Sequence, residues 1–284
     1  MKSYRGVVDA ELDRMLPAAS SPPVRLHEAM RYSIFSGGKR LRPMLVLMAC
    51  ETCGGNISDA LRPACVFEMI HTYSLIHDDL PAMDNDDFRR GNPTCHKKYD
   101  EATAILAGDA LLTHAFEHLA VSLRPEHILL IAEIARAAGT PGMIGGQAAD
   151  VEGEKLAPSA GMVEFIHLRK TAALIRQAVR TGATIAGADG ATIERCTRYG
   201  EEIGVAFQIA DDILDIEGTT EQLGKTAGKD TEAGKQTYPA VFGLAESKKM
   251  AAARIEQAVE ALEPFGDKAD LLRMLAKYII DRKT

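Results

Sequence analysis

The chain has 284 residues, 46% of them hydrophobic and 26% charged, which is enough apolar material for one large core and excludes a long disordered tail. A formal net charge of -7 excludes an overall field that would hold nucleic acid or an anionic membrane surface, so any anionic ligand must be met locally. The odd set of five cysteines, Cys50, Cys53, Cys65, Cys95 and Cys196, does not read as a secreted disulfide framework.

The N-terminal stretch MKSYRGVVDAELDRM meets charge before any apolar run, and nowhere do roughly 18 apolar residues follow one another. A soluble, cytoplasmic protein with no membrane span is expected. Apolar residues recur at three- and four-residue spacing through most of the chain, and alternating strand patterns are hard to find. The expected fold class is therefore all-α, with helices over 6–17, 24–35, 41–53, 58–80, 98–120, 125–138, 141–151, 160–181, 191–217, 246–262 and 268–281. The breaks fall at Gly37-Gly38, Gly54-Gly55, Pro81, Gly91-Asn92-Pro93, 139–141, Gly218 and 224–234. None reads as an interdomain linker, so residues 1–284 are taken as a single domain.

In chain order, the first chemistry-bearing stretch is Gly37-Gly38-Lys39-Arg40-Leu41-Arg42-Pro43, basic residues ahead of a helix. The 58–80 helix then ends in Asp78-Asp79-Leu80-Pro81, followed by Asp84, Asp86, Asp87, Arg89 and Arg90. Pro81 disfavours helical geometry at Leu80, which leaves Asp78 and Asp79 in the last turn. Carboxylates there oppose the helix dipole by up to about 1 kcal/mol each unless a cation is present. In the 191–217 helix, Gln208, Asp211, Asp212 and Asp215 follow one another at helical spacing and form one stripe. Again a cation is implied, and ligands that are all oxygen suit a hard ion such as magnesium. Lys170-Thr171, Lys225, Lys229 and Lys235 add cations suited to phosphate, as do the arginines already named. His71 lies two turns before Asp78, on the same helix face.

Each feature alone has a plainer reading. An Asp-Asp pair is usually a solvated helix end, and lysines 225–235 are usually solvated loop residues. Lys39 is followed by Arg40, not Ser or Thr, so the Gly-Gly-Lys stretch is no P-loop. Cys50-x-x-Cys53 lacks further metal ligands, and His77, His96, His114, His118, His127 and His167 read as ordinary histidines. Two acidic clusters together with this many cations describe a diphosphate site.

With these residues in order, the chain resembles the all-trans short-chain isoprenyl diphosphate synthases (polyprenyl synthetases), and among them the bacterial-type farnesyl diphosphate synthases. The resemblance runs from GGKRLRP at 37–43 through HTYSLIHDDLPAMDNDDFRRGNPTCH at 71–96, GDALL at 108–112, GGQAAD at 145–150, KT at 170–171 and FQIADDILD at 207–215 to GKQTYPA at 234–240. It implies a bundle of long antiparallel helices around a central cavity, the isoprenoid synthase fold, in a homodimer. It also implies a prenyltransfer: an allylic diphosphate ionises, isopentenyl diphosphate attacks the cation, and a proton is lost.

On this resemblance a trio of Mg2+ ions, with Mn2+ as the alternative, is held by Asp78, Asp84 and Asp211, while Asp79, Asp212 and Asp215 serve as further ligands or hold metal-bound water. Arg89, Lys170, Lys225 and Lys235 meet the allylic diphosphate. Lys39, Arg42, His71 and Arg90 hold isopentenyl diphosphate without metal. Gln208, the Thr171 carbonyl and Lys170 attend the cation, and the 224–234 segment closes over the site. Tyr73 and Ser74, fifth and fourth before the first aspartate, limit the product to C15, although an ideal wheel sets Tyr73 about 140° from Asp78. Asn85 stands where many relatives carry another Asp. The alternatives are a geranylgeranyl or geranyl diphosphate synthase, a noncatalytic partner subunit, and a terpene cyclase, which would not need the metal-free site.

Overall fold

The computed structural model describes residues 2–218 and 234–281. Lys225, Lys229 and nearly all of the 224–234 segment lie outside the described residues. The helices are α1 (Lys2–Met15), α2 (Val24–Phe35), α3 (Leu41–Thr52), α4 (Ile57–Asp78), α5 (Cys95–Lys98), α6 (Glu101–Ser122), α7 (Leu129–Ala138), α8 (Met143–Gly153), α9 (Ala160–Ile166), α10 (Ala173–Ile185), α11 (Gly190–Glu217), α12 (Tyr238–Phe242), α13 (Leu244–Ala261) and α14 (Asp270–Asp281). The all-α expectation holds. No helix among the described residues is long and apolar enough to cross a membrane.

Caps explain several boundaries. The Asn56 side chain accepts from Ser58 N at 3.0 Å to start α4, and Asp189 accepts from Thr192 N at 2.8 Å to start α11. The helix expected over 98–120 is instead broken at Asp100, whose backbone is extended and whose side chain accepts from Thr103 N at 2.6 Å. A capping aspartate cannot also be a mid-helix residue, so α5 stops and α6 begins.

Between the aspartates and α5, Phe88–Arg89 (β1) pairs antiparallel with Asn92–Pro93 (β2). The two residues joining them, Arg90 and Gly91, both have positive φ, 54° and 77°, as a two-residue hairpin turn requires. This pairing was not expected from the sequence. It sends Arg89 and Arg90 to different partners.

In the body of the molecule α4 packs on α6 and α3, α3 on α10, α10 on α11, and α11 on α13. One buried apolar cluster runs from Tyr4 to Ile279, and a smaller one gathers Val163, Ala172, Ile209, Ile213 and Tyr238. The helix expected over 160–181 contains a π-helical turn at His167–Ala172, a form that concentrates at functional sites. It carries Lys170 and Thr171. Helix α8 crosses this turn so closely that a Cβ on Gly146 would lie 2.2 Å from the backbone nitrogen of Lys170. Backbone cannot swing aside as a side chain can. Gly146→Ala is therefore expected to cost about 1–3 kcal/mol, read as a lower urea midpoint.

Candidate active site

Two large cavities meet in the middle of the helices. The first, of about 880 Å3, is lined by Lys39, Arg42, His71 and Arg90, the four residues assigned from the sequence to one diphosphate. The second, of about 910 Å3, contains Tyr73, Ser74, Asp78, Arg89, Lys170, Thr171, Gln208 and Asp211. Arg42, His71, Arg90 and Phe207 line both. A smaller recess of about 180 Å3 continues from the second and brings in Asp84, Asp212 and Lys235. Basic residues thus predominate at one end, with Glu68 their one carboxylate, and the aspartates gather at the other among Arg89, Lys170 and Lys235.

At the basic end, Gly37 and Gly38 have φ of 103° and 125°, a conformation open to glycine. The loop they form is bound by Arg90, whose Nη1 donates to Gly37 O at 2.7 Å. Arg42 is buried, and its Nε has no hydrogen-bond partner among the described residues. Burial lowers its pKa to about 10, which still leaves it protonated at neutral pH. Burial, with Arg42 and Arg90 nearby, pushes His71 well below the usual imidazole value, so it is neutral. Arg40 is different. It is 3% exposed, and its guanidinium donates to Asp9 Oδ1 at 2.7 Å and Glu68 Oε1 at 2.8 Å, so it supports the loop from beneath.

At the acidic end the aspartates separate. Asp78 and Asp211 line both the large cavity and the recess, and Asp84 and Asp212 line the recess; Asp79 and Asp215, both about 3% exposed, line neither. Asp79 instead accepts from Arg89 Nε at 2.8 and 3.0 Å and so holds Arg89 at the cavity wall. Of the single stripe expected over Gln208 to Asp215, Gln208, Asp211 and Asp212 line the recess together and Asp215 lies outside it. Thr171 Oγ1 donates to Gln208 Oε1 at 2.8 Å, and Gln208 Nε2 donates to Asp212 Oδ1 at 3.1 Å. Tyr238 N donates to Asp212 Oδ2 at 2.9 Å, and His167 Nε2 is 3.4 Å from that oxygen. Lys170 Nζ donates to Asp150 Oδ2 at 2.6 Å and Lys235 Nζ to Asp84 Oδ1 at 3.3 Å. Burial works against the Lys170 charge, but Asp150 and Asp78 hold its pKa above the usual lysine value.

Residues 23–277 match the polyprenyl synthetase family. Over 283 residues the chain is 49% identical to the dimethylallyltranstransferase of Fischerella ambigua (strain UTEX 1903), covering 98% of this chain and 81% of that protein. It is 50% identical over 266 residues to a chloroplastic geranylgeranyl pyrophosphate synthase of Capsicum annuum, covering 92% and 72%. A crystal structure of an FPP/GFPP synthase from Zymomonas mobilis superposes with a TM-score of 0.87 at 39% identity, covering 98% of each chain. The chain belongs to the polyprenyl synthetase family. It is a trans-prenyltransferase.

For a polyprenyl synthetase the question of a metal can be put to the donor set itself. Burial pushes the Asp78 carboxyl up to about 6, with Asp84 and Asp79 adding to the rise and Lys170 and Arg89 opposing it. A cation would relieve that crowding. Among the described residues no three His, Cys, Asp or Glu side chains form a closed cage. Magnesium does not ask for one, because it is commonly held by one or two carboxylates, water and substrate phosphate oxygens. The residues fit the ion.

In the sequence of this polyprenyl synthetase Asp150 carries no assigned role and His167 reads as an ordinary histidine. Asp150 closes the GGQAAD stretch, but its pairing with Lys170 across twenty residues and a π turn has no periodic signature. Phe207, shared by the two large cavities, reads in the sequence only as an apolar neighbour of Gln208.

Proposed function

We propose that this trans-prenyltransferase joins isopentenyl diphosphate to dimethylallyl and then geranyl diphosphate and stops at farnesyl diphosphate (C15). The observation that carries the two-substrate reading is the division of one continuous space into a basic end, whose one carboxylate, Glu68, is paired with Arg40, and an end walled by Asp78, Asp84 and Asp211. Isopentenyl diphosphate sits on Lys39, Arg42, His71 and Arg90; neutral His71 contributes as a hydrogen-bond partner and Arg42 as a desolvated fork. The allylic diphosphate lies toward Arg89, Lys170 and Lys235, with Lys225 added from outside the described residues.

Asp78, Asp84 and Asp211 would hold Mg2+, which when bound supplies Lewis-acid stabilisation of the leaving diphosphate. Asp79, Asp212 and Asp215 fix the residues around that ion or its water. The oxygens of Gln208 and Thr171 give the allylic cation dipoles without a nucleophile. The apolar side chains of the cavity keep water from capturing it.

The product limit rests on Tyr73. It lines the large cavity, is 5% exposed, and has a buried hydroxyl with no hydrogen-bond partner among the described residues. Its ring stands edge-on to His77, with centroids 5.8 Å apart. His77 in turn is fixed to α6, where Ile105 O lies 3.1 Å from its Nε2 and a Cβ on Gly108 would come within 2.2 Å of the same nitrogen. The floor is braced from behind. Tyr73→Ala is expected to move the dominant product from C15 to C20 or longer. Isopentenyl and dimethylallyl diphosphates with magnesium, followed by mass spectrometry of the dephosphorylated alcohols, test both statements. A parent enzyme that already makes C20 would replace the farnesyl reading by the geranylgeranyl one, which the pepper relative's name favours.

The proposal also takes the protein as a single-domain homodimer. Exposed Val121, Ile128 and Leu129, at the junction of α6 and α7, offer apolar surface for such a contact. Light scattering of the purified chain checks it. Five free cysteines support a cytoplasmic location.

A further inference from the structure

Outside the residues that line the two large cavities and the recess, two histidines one turn apart on α6 meet the end of α1. His114 Nε2 lies 2.8 Å from Met15 O, and His118 Nε2 lies 3.1 Å from the same oxygen. The two ring nitrogens are 2.9 Å apart. Three polar atoms thus form one small triangle. Glu117 Oε2 is 3.0 Å from His114 Nδ1, and an Nδ1–H given to that carboxylate leaves the neutral ring's Nε2 without a proton. The triangle then has a single proton to share, the one on His118 Nε2. The neighbouring carbonyls need nothing further, since Arg31 Nη1 donates to Asp13 O, Leu16 O and Pro17 O. Met15 O alone of this group is left to the imidazoles, at the negative end of a helix dipole.

We propose that His114, His118 and the Met15 carbonyl bind a divalent transition ion of the imidazole-preferring class, represented by Zn2+. Histidines at i and i+4 present their nitrogens to one ion from a single helix face. Zinc takes nitrogen ligands at about 2.0–2.1 Å in a tetrahedron, which sets donors a little more than 3 Å apart. The triangle need open by only a few tenths of an ångström, with water completing the shell. Glu117 supplies the carboxylate that orients a ligating imidazole through its other nitrogen. The run His114-Ala115-Phe116-Glu117-His118 has the residue order of a zinc-hydrolase helix. Here Glu117 is engaged by His114 Nδ1, so the site binds and does not hydrolyse. Its effect is to staple α6 to the C-terminus of α1.

Zn2+ titrated calorimetrically into the metal-free protein, with excess Mg2+ present to occupy the acidic sites and no diphosphate added, tests the proposal. The expected result is saturable binding of one Zn2+ per chain together with a raised melting temperature. Glu117→Gln should weaken that binding by about 10–100-fold, and the double variant His114→Ala/His118→Ala should abolish it. Alanine suits a helix, so the double variant should keep the parent's circular dichroism spectrum. The absence of saturable Zn2+ binding in the parent, or an isotherm unchanged in the double variant, overturns the proposal.

Discussion

Asp78→Asn is expected to lower the rate of prenyl transfer on the order of a thousandfold, roughly 4 kcal/mol of barrier at about 1.4 kcal/mol per tenfold, while leaving the fold intact. The substitution keeps the shape of the side chain and removes its charge. Asp78 lines both the large cavity and the recess, so the loss falls where negative charge develops on the departing diphosphate. Stability should move the other way. The folded carboxyl is pushed up to about 6 by burial, above its ordinary value of 3.8, so at neutral pH the metal-free fold holds an anion against its preference. Removing that charge should raise the melting temperature of the metal-free protein. Single-turnover rates with geranyl and isopentenyl diphosphates, alongside thermal denaturation, check the two halves. A variant within tenfold of the parent rate would remove Asp78 from the proposed metal site.

The acidic clusters were legible because helical periodicity is local: Asp78 and Asp211 could be set at a helix end and on a helix face by counting residues. The division among the aspartates was not. Whether a carboxylate faces the cavity or is taken by a neighbour depends on Arg89, which returns to Asp79 through a two-residue hairpin. The π turn at His167–Ala172 widens the helix without changing the apolar pattern that announces it. Tyr73 is a case where the helical wheel was too strict. At about 140° from Asp78 it still lines the cavity, because the cavity is bounded by α6 and α8 as well as by the aspartate face of α4. His114 and His118 read as ordinary histidines, since nothing in their own helix announces the Met15 carbonyl.

The basic loop shows how far a residue outside the assigned set reaches. In the stretch 37–43 the sequence offers Lys39, Arg40 and Arg42 as equivalent cations, yet Arg40 has φ of 53° and is buried with Glu68 beneath the loop. Its guanidinium also donates to Ile34 O at 2.8 Å and Gly37 O at 3.2 Å, joining the end of α2 to the turn that presents Lys39 and Arg42. Glu68→Ala should therefore cost about 1–3 kcal/mol, because Arg40 loses a buried charged acceptor while Asp9 still pairs with it. Denaturant midpoints read that loss. Kinetics should read a second one, a rise in KM for isopentenyl diphosphate larger than that for the allylic substrate, since the loop serves the basic end alone. The double variant Arg40→Met/Glu68→Leu separates the two effects. Replacing a buried ion pair by apolar side chains of similar size is often neutral for stability, so the midpoint should recover. The KM for isopentenyl diphosphate should stay high, because Ile34 O has lost the guanidinium that held it and Gly37 O keeps only Arg90. Recovery of both would make Arg40 a stability element with no part in placing Lys39 and Arg42.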